Sequence, residues 1–379
     1  MANTLTGLIP VIYKGLDIVA RERVGLIPKV TLDASASMAA VGQTVRSFLT
    51  PASAAVDIAA SNTAPNTGGQ TIAYNDLSIT KAKAVPVQWT GEEIASVGSQ
   101  YAEMQANQFA QAFRTLTNLV EVDLALAVTN GASRAFGTVG TTPFATAGDL
   151  SDSAGVMKIL DDNGTPFQDL GYVANNATMA SFRGKQSVLF KVNESGTDQL
   201  LRQGTIGNLQ GMAIGQSAAL SAVHTKGTGA SWVVNGSAAI GDTTVPLHSG
   251  TGTIVAGDII TFTGDTNKYV VATDLSAGSL TINKPGLLQA QAGEVACTVG
   301  GSYSTDVALH RGSTILLARQ PIMPPGGDMA TDVLAVTDPV SGITYQVALY
   351  RGYHQIHMEV GLAWGTKVIK PEFIALNIQ

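Results

Sequence analysis

The pattern of apolar positions changes character several times along the chain. Its clearest stretch runs through Ile94, Val97, Tyr101, Met104, Phe109, Phe113, Leu116, Val120, Leu124 and Ala127, spaced mostly by three, four and seven. That is the period of a helix with one buried stripe. Just ahead of it, Thr90-Gly91-Glu92-Glu93 is a capping box, in which the Thr90 hydroxyl accepts from the Glu93 amide and the Glu93 carboxylate reaches back. Gly98 divides a short first helix from a longer second one, and Asn130-Gly131 predicts a left-handed stop. Ser99 to Asn130 is about 32 residues, or ~48 Å at 1.5 Å each, which implies a helix running along a flattened body.

Upstream, the pattern predicts a short helix over Ile12 to Val24 and a strand over Thr44 to Leu49, stopped by Pro51. Residues 51–76 are small and polar, with no helical period. Leu77 to Val87 alternates as one strand leading away from them. Together these segments predict a long two-stranded excursion. A hairpin without a core of its own is marginal in water, so it needs a partner surface. Downstream, residues 149–225 read as α/β material: helices over Asp152–Leu160 and Ala177–Arg183, a strand over Tyr172–Ala174, and a hairpin over Gly204–Ile214. From about Lys226 to Thr298 helical periodicity disappears. Short β-rich runs follow at Trp232–Val234, Thr244–Leu247, Asp258–Phe262, Lys268–Val271 and Ser279–Ile282, which predicts an inserted small barrel or sandwich. Residues 303–379 return to α/β character and finish in strands at Thr344–Leu349, His357–Leu362 and Thr366–Ile369.

Composition narrows the class. The chain has 379 residues, too many for one small domain. Lys plus Arg is 22 and Asp plus Glu is 28, a net charge of −6. A dense basic face for nucleic acid does not fit that balance. Charged residues are 13% of the chain, against a usual ~25%, while glycine reaches 41 residues. A soluble monomer keeps its neighbours away with surface charge. A chain this poorly charged is expected to cover much of its surface with copies of itself. An apolar content of 45% excludes a disordered chain. No apolar run approaches the ~20 residues that span a bilayer, so no membrane partner is expected. The N-terminal MANTLTGLIPVIYKGLDIV lacks the pattern of an export signal, and the chain is expected not to be exported. Cys297 is the one cysteine, which rules out an internal disulfide and any CxxC site.

Chemical motifs are sparse. There is no GxxxxGK(S/T) phosphate loop, no GxGxxG opening a helix, no GxSxG elbow and no HExxH. His354-Gln355-Ile356-His357-Met358-Glu359 is the best candidate. Read as a strand, it puts His357 and Glu359 on one face and His354 on the other. Two ligands do not make a zinc site, so an inter-strand polar pair is the simpler reading. Asp161-Asp162-Asn163-Gly164 resembles the start of a calcium loop but lacks its twelfth-position Glu, and reads as a helix-terminating turn. Asn176, Asn193 and Asn235 fit the glycosylation pattern, which means little without an export signal. Trp89, Trp232 and Trp364 read as packing residues, and Asp258 and Asp265 as turn residues. No catalytic residue, cofactor-binding residue or metal ligand is assigned, and no cofactor is expected.

The order of elements resembles that of tailed-phage major capsid proteins of the Hong Kong 97 fold, an α+β class. Several segments carry the likeness: Trp89 to Glu93 leading into the long helix, Gly171 to Thr178 as a strand-to-helix joint, Gly207 to Met212, Leu309 to Ser313, and Val368 to Leu376. The extra β segment makes it most similar to the coat proteins of short-tailed Salmonella-type phages. The resemblance implies an N-terminal arm over 1–50, an extended loop and its return strand over 51–88, and a spine helix within the peripheral domain over 89–139. It further implies an axial domain over 140–224 and 303–330, an inserted β-barrel-like domain over 225–302, and peripheral-domain strands over 331–379. It implies a non-enzymatic coat subunit that assembles with itself into pentamers and hexamers of an icosahedral shell. A scaffolding protein, a portal and non-specifically contacted double-stranded DNA would be its other partners. The implied location is the virion, with assembly in the host bacterial cytoplasm. Some members of the fold crosslink Lys to Asn. Lys81 and Lys83 lie near the right loop, but no catalytic acid is assignable, so no crosslink is expected. Two other readings stand beside this one: an encapsulin-type compartment shell, and a β-rich carbohydrate-binding or -hydrolysing enzyme, which would need a carboxylate pair.

Overall fold

The computed structural model describes residues 23–49, 55, 58, 60, 72–185, 207–339 and 341–379. Strands β1 (Thr31–Ala39), β2 (Thr44–Leu49), β3 (Ala73–Ser78) and β4 (Lys81–Thr90) lead into helices α1 (Gly91–Val97) and α2 (Tyr101–Asn130). Then come β5 (Arg134–Gly137), α3 (Ser151–Asp162), β6 (Leu170–Ala174), α4 (Asn176–Lys185), β7 (Asn208–Leu209) and β8 (Met212–Gln216). Eight short strands follow: β9 (Trp232–Val234), β10 (Ser237–Ala238), β11 (Thr244–His248), β12 (Ile259–Phe262), β13 (Lys268–Ser276), β14 (Ser279–Ile282), β15 (Gln291–Ala292) and β16 (Ala296–Val299). The chain ends with β17 (Thr305–His310), β18 (Thr314–Pro321), β19 (Ala330–Thr337), β20 (Thr344–Gly352), β21 (Gln355–Val368) and β22 (Ile374–Ile378).

Helix α2 forms because its apolar stripe has a sheet to bury against. Phe109, Phe113, Leu116, Val120 and Leu124 are fully buried in one cluster with Tyr345, Val347, Met358, Val360 and Trp364. That sheet has the order β1-β18-β21-β20-β19, with β4 along the other side of β21. Phe113 meets Tyr345 edge-on at 5.0 Å, and the Tyr345 hydroxyl lies 2.6 Å from the Thr117 hydroxyl. The capping box is present: the Glu93 amide donates to Thr90 Oγ1 and the Thr90 amide donates to the Glu93 carboxylate. The Thr90 amide and, after it, the Thr90 hydroxyl hold the Glu93 carboxyl below its usual range. Gly98 does break the helix, through a single 3-10 turn.

A second sheet of twelve strands begins with β12-β16-β9-β11-β14-β13 and continues through β5-β22-β17-β6-β8-β7. Strand β12 also pairs with β13, so the first six strands close into a ring. The ring encloses its own apolar cluster, including Val234, Val245, Phe262, Tyr269 and Leu280. It is not a separate body on a linker. Lys268 and Tyr269 of β13 pair with Ala135 and Arg134 of β5, which joins the ring to the main sheet. At its neck the incoming and outgoing chains pair as well: the His224 amide donates to Tyr303 O at 2.7 Å.

Several sequence expectations need correction. The expected single strand Leu77–Val87 is interrupted at Ile79 and Thr80. Its first part pairs with β2 as a ribbon, and its second part pairs with β21. The expected left-handed stop at Gly131 is absent, since its φ is −92°. Glycine is needed there for space: a Cβ would lie 2.6 Å from Val368 Cγ2. The strands expected at His357–Leu362 and Thr366–Ile369 are one strand, β21. His354 is not on a strand. It lies in the turn before β21 with a φ of 55°, and its carbonyl accepts from the Gly91 amide. Strand β1 has no counterpart in the sequence reading. The balance of the whole is also more strand-rich than an even α+β mixture. Residues 12–22 of the expected helix over Ile12–Val24, most of the loop over 51–76 and Asn193 lie outside the described residues, and Arg23 and Val24 are not helical.

Candidate assembly surface

The ribbon of β2 and β3 is the segment of the described chain least able to satisfy itself. Its register runs from Thr44 opposite Ser78 to Leu49 opposite Ala73. Its base is well anchored. Leu77 and Ile79 are buried with Ala39, Leu317 and Ala363, and Lys367 Nζ donates to Asp76 O at 2.8 Å. Gly365 lets the ribbon approach the sheet, since a Cβ there would lie 2.0 Å from Ser78 O. Beyond the base the apolar side chains stay exposed among the described residues. Phe48 is 71% exposed, Ile72 64% and Tyr74 52%. Arg46 pairs with Asp76 at 2.9 Å and sets its guanidinium 3.7 Å over the Tyr74 ring. This local clamp stiffens the ribbon while leaving Phe48 in water. Aromatic groups held open on a projecting element mark a contact surface.

Two buried carboxylates hold the body that carries the ribbon. Glu121 of α2 is 1% exposed. Its Oε1 accepts from the Gly25 and Leu26 amides, both at 2.8 Å, and from Ser217 Oγ at 2.7 Å. Its Oε2 accepts from the Ile27 amide at 3.2 Å. One side chain therefore ties the chain ahead of β1 to the long helix and to the end of β8. Asp306 of β17 is fully buried and accepts from the Tyr172 hydroxyl and the Asn175 amide, each at 2.8 Å. Burial pushes its carboxyl up to about 7 against these donors. Neither residue was singled out from the sequence. For Glu121 one trace existed, a charge set inside the apolar stripe between Val120 and Leu124.

The sequence-selected residues fall in separate places. His357 sits on β21 between Tyr350 of β20 and Gln88 of β4. Asp162 ends α3, pairing with Lys158 at 2.8 Å and lying 3.6 Å from Arg134, while Asn163 Oδ1 accepts from Arg134 at 3.0 Å. Asp258 accepts from the Gly227 and Val255 amides and lies 3.0 Å from His224 Nε2. Asp265 accepts from the Tyr269 hydroxyl and the Asn267 amide. Both carboxylates are thus committed to loops of the ring. Lys81 pairs with Asp123 at 2.6 Å, which also accepts from Trp364 Nε1, and Lys83 is exposed. Trp89 Nε1 donates to Gln108 at 2.6 Å, and Trp232 packs against the cluster of the ring. Asn176 opens α4 and Asn235 is an exposed residue after β9. Cys297 is buried, which pushes its thiol up to about 12. Among the described residues no three His, Cys, Asp or Glu side chains gather as a metal cluster, and no helix is long and apolar enough to cross a membrane.

No protein-family model matches the chain, and no curated protein matches it in sequence. Solved structures do. It is similar to the capsid of the cyanophage P-SCSP1u, with a TM-score of 0.52 at 11% identity, covering 95% of this chain and 89% of that one. A structure from Mycobacterium phage Che8 matches with a TM-score of 0.44 at 16% identity over 89% and 85% of the two chains. The capsid of the Myoviridae phage XM1 matches with a TM-score of 0.45 at 11% identity over 96% and 95%. The first of these likenesses shows the fold: the chain is folded like the subunit of that phage capsid.

Proposed function

We propose that this chain is the major coat subunit of a tailed double-stranded DNA phage, assembling with itself into an icosahedral shell around the genome. The fold shared with the cyanophage capsid over 95% of the chain is the observation that carries this reading. The exposed aromatic ribbon supports it. In a closed shell every subunit meets a copy of the same surface, so an element that cannot bury itself is buried by symmetry. Weak contacts repeated around each subunit then act together. The ribbon with residues 51–76 is the extended loop in this reading, α2 is the spine, and the ring is the inserted domain. The ring projects from the shell and either assists folding or bridges neighbouring subunits. The axial segments gather into pentamers and hexamers, and a scaffolding protein and a portal guide closure in the host cytoplasm. No catalytic step is assigned.

Electron microscopy of the purified chain tests this directly. Closed shells tens of nanometres across are expected, and a monodisperse monomer at high concentration would overturn the reading. Particles recovered from infected cells should protect DNA from nuclease. Shells holding protein and no nucleic acid would favour an encapsulin-type compartment instead.

A further inference from the structure

The six-stranded sheet ends in strands of different character. On the side of β21 away from β20, the edge is β4. Gly91 N–H donates to His354 O, extending the ladder that pairs Lys81–Thr90 with β21. Hydrogen-bonded and outward residues alternate along such a ladder. Pro86 therefore falls on the outward set, where it offers no N–H, and the charged Lys81 and Lys83 lie on the same strand. Strand β1 breaks register between Ala34 and Met38. Proline, lysine and irregular register all blunt an edge against pairing with another chain.

Strand β19 has its register shift only at its start, between Ala330 and Asp332, and carries no proline or lysine. Asp338 N–H donates to Ile343 O, and the register sets Val336 opposite Tyr345, Leu334 opposite Val347 and Asp332 opposite Leu349. These residues aim their backbone groups at β20. Val333, Ala335 and Thr337 therefore aim theirs outward, where no strand pairs with β19 among the described residues. The Val333 N–H is met by the Asp332 side chain at 2.9 Å, and no strand pairs with its outward carbonyl among the described residues. Thr331, Ala335 and Thr337 are exposed, small and uncharged.

We propose that β19 is an edge-to-edge interface between two copies of this chain, paired antiparallel about a two-fold axis. The inference rests on the self-assembling reading above and names one of its contacts. The edge is self-complementary. With Ala335 opposite Ala335 of the second copy, each donates its N–H to the other's carbonyl. The Thr337 N–H then reaches the outward Val333 carbonyl of the second copy, on both sides of the axis. The two sheets become one continuous sheet. An extended strand with matching register is the chemistry that satisfies this row of groups, and a second β19 supplies it.

Ala335→Pro is the test, because the N–H it removes lies outside the β19–β20 ladder. The variant should melt close to the wild type and lose the two-fold contact, read by sedimentation velocity as loss of assembled species. Ala335→Cys treated with a short bis-maleimide gives a second reading that does not depend on a proline being tolerated in the strand. A covalent dimer on a denaturing gel is expected, with little background from the buried Cys297. Normal assembly of Ala335→Pro, or no dimer from Ala335→Cys in assembled material, would overturn the proposal. Wild-type shells together with either result would leave the coat-subunit reading intact. A crosslinked dimer from a chain that forms no shells would uphold the edge contact and sink that reading.

Discussion

The side chains that hold this molecule together at the smallest scale are carboxylates taken out of water. Glu121 accepts four hydrogen bonds from two distant segments, residues 25–27 and Ser217. Removing it strands three backbone amides and a hydroxyl in a buried site, and an orphaned buried donor costs ~1–3 kcal/mol. Glu121→Ala should lower stability by roughly 3 kcal/mol or more, read as a shift in urea midpoint, whereas Glu121→Gln should lose less because one oxygen still accepts. Asp306 has the opposite character. Burial raises its carboxyl from 3.8 to about 7. The folded state therefore holds a proton that the unfolded chain releases, and stability should fall as pH rises from about 4 to about 7, by on the order of a few kcal/mol. Asp306→Asn should flatten that fall, and denaturation midpoints at pH 5 and pH 8 would show an unchanged slope if the carboxyl were not responsible. Asp306 is not legible in the sequence, where a lone acid reads as surface, and Glu121 shows only as a charge inside the apolar stripe. The long-range partners that make each one structural lie 94–96 residues away for Glu121 and more than 130 away for the Tyr172 and Asn175 donors of Asp306.

Elements were legible where their cause is local. The capping box and the stripe behind it define α1 and α2 because cap, period and break all lie within one stretch of chain. The short strands of the ring were legible for the same reason, each bounded by turns. Strand β1 was not. Its sequence TLDASASMA has weak alternation, and it is held by parallel pairing to β18, with Thr31 opposite Ile315. The continuous alternation from Leu77 to Val87 likewise hid a change of partner at Ile79 and Thr80, because both parts keep period two while leaving the same joint in different sheets. That joint depends on Gly365, whose missing side chain lets Ser78 O come close. Gly365→Ala forces backbone apart rather than a flexible side chain. It should cost ~1–3 kcal/mol as an overpacked contact. Hydrogen exchange should show faster opening of β3 than of β20, and equal protection of the two strands would argue that the ribbon is not hinged at this point.

At the scale of the whole molecule, the argument turns on what a single copy leaves undone. Its core is conventional: helix on sheet, with a closed ring joined through β13 and β5. The ribbon is different, because its base is buried and its outer apolar side chains are not. If those side chains served folding, replacing them would loosen the subunit. If they serve a neighbour, replacing them leaves the subunit intact and removes the contact. The structure favours the second, since Phe48 and Tyr74 meet solvent over most of their surface. The pair Phe48→Ser and Tyr74→Ser should therefore shift the melting midpoint little, within ~0.5 kcal/mol for each exposed site. Assembly should fail, because each subunit loses the aromatic area that its neighbour would bury and the loss repeats at every position of a closed shell. Light scattering against concentration separates the cases. A folded variant that stays small at concentrations where the wild type scatters strongly supports the ribbon as an assembly element, and wild-type scattering from the variant would place the decisive contacts elsewhere on the molecule.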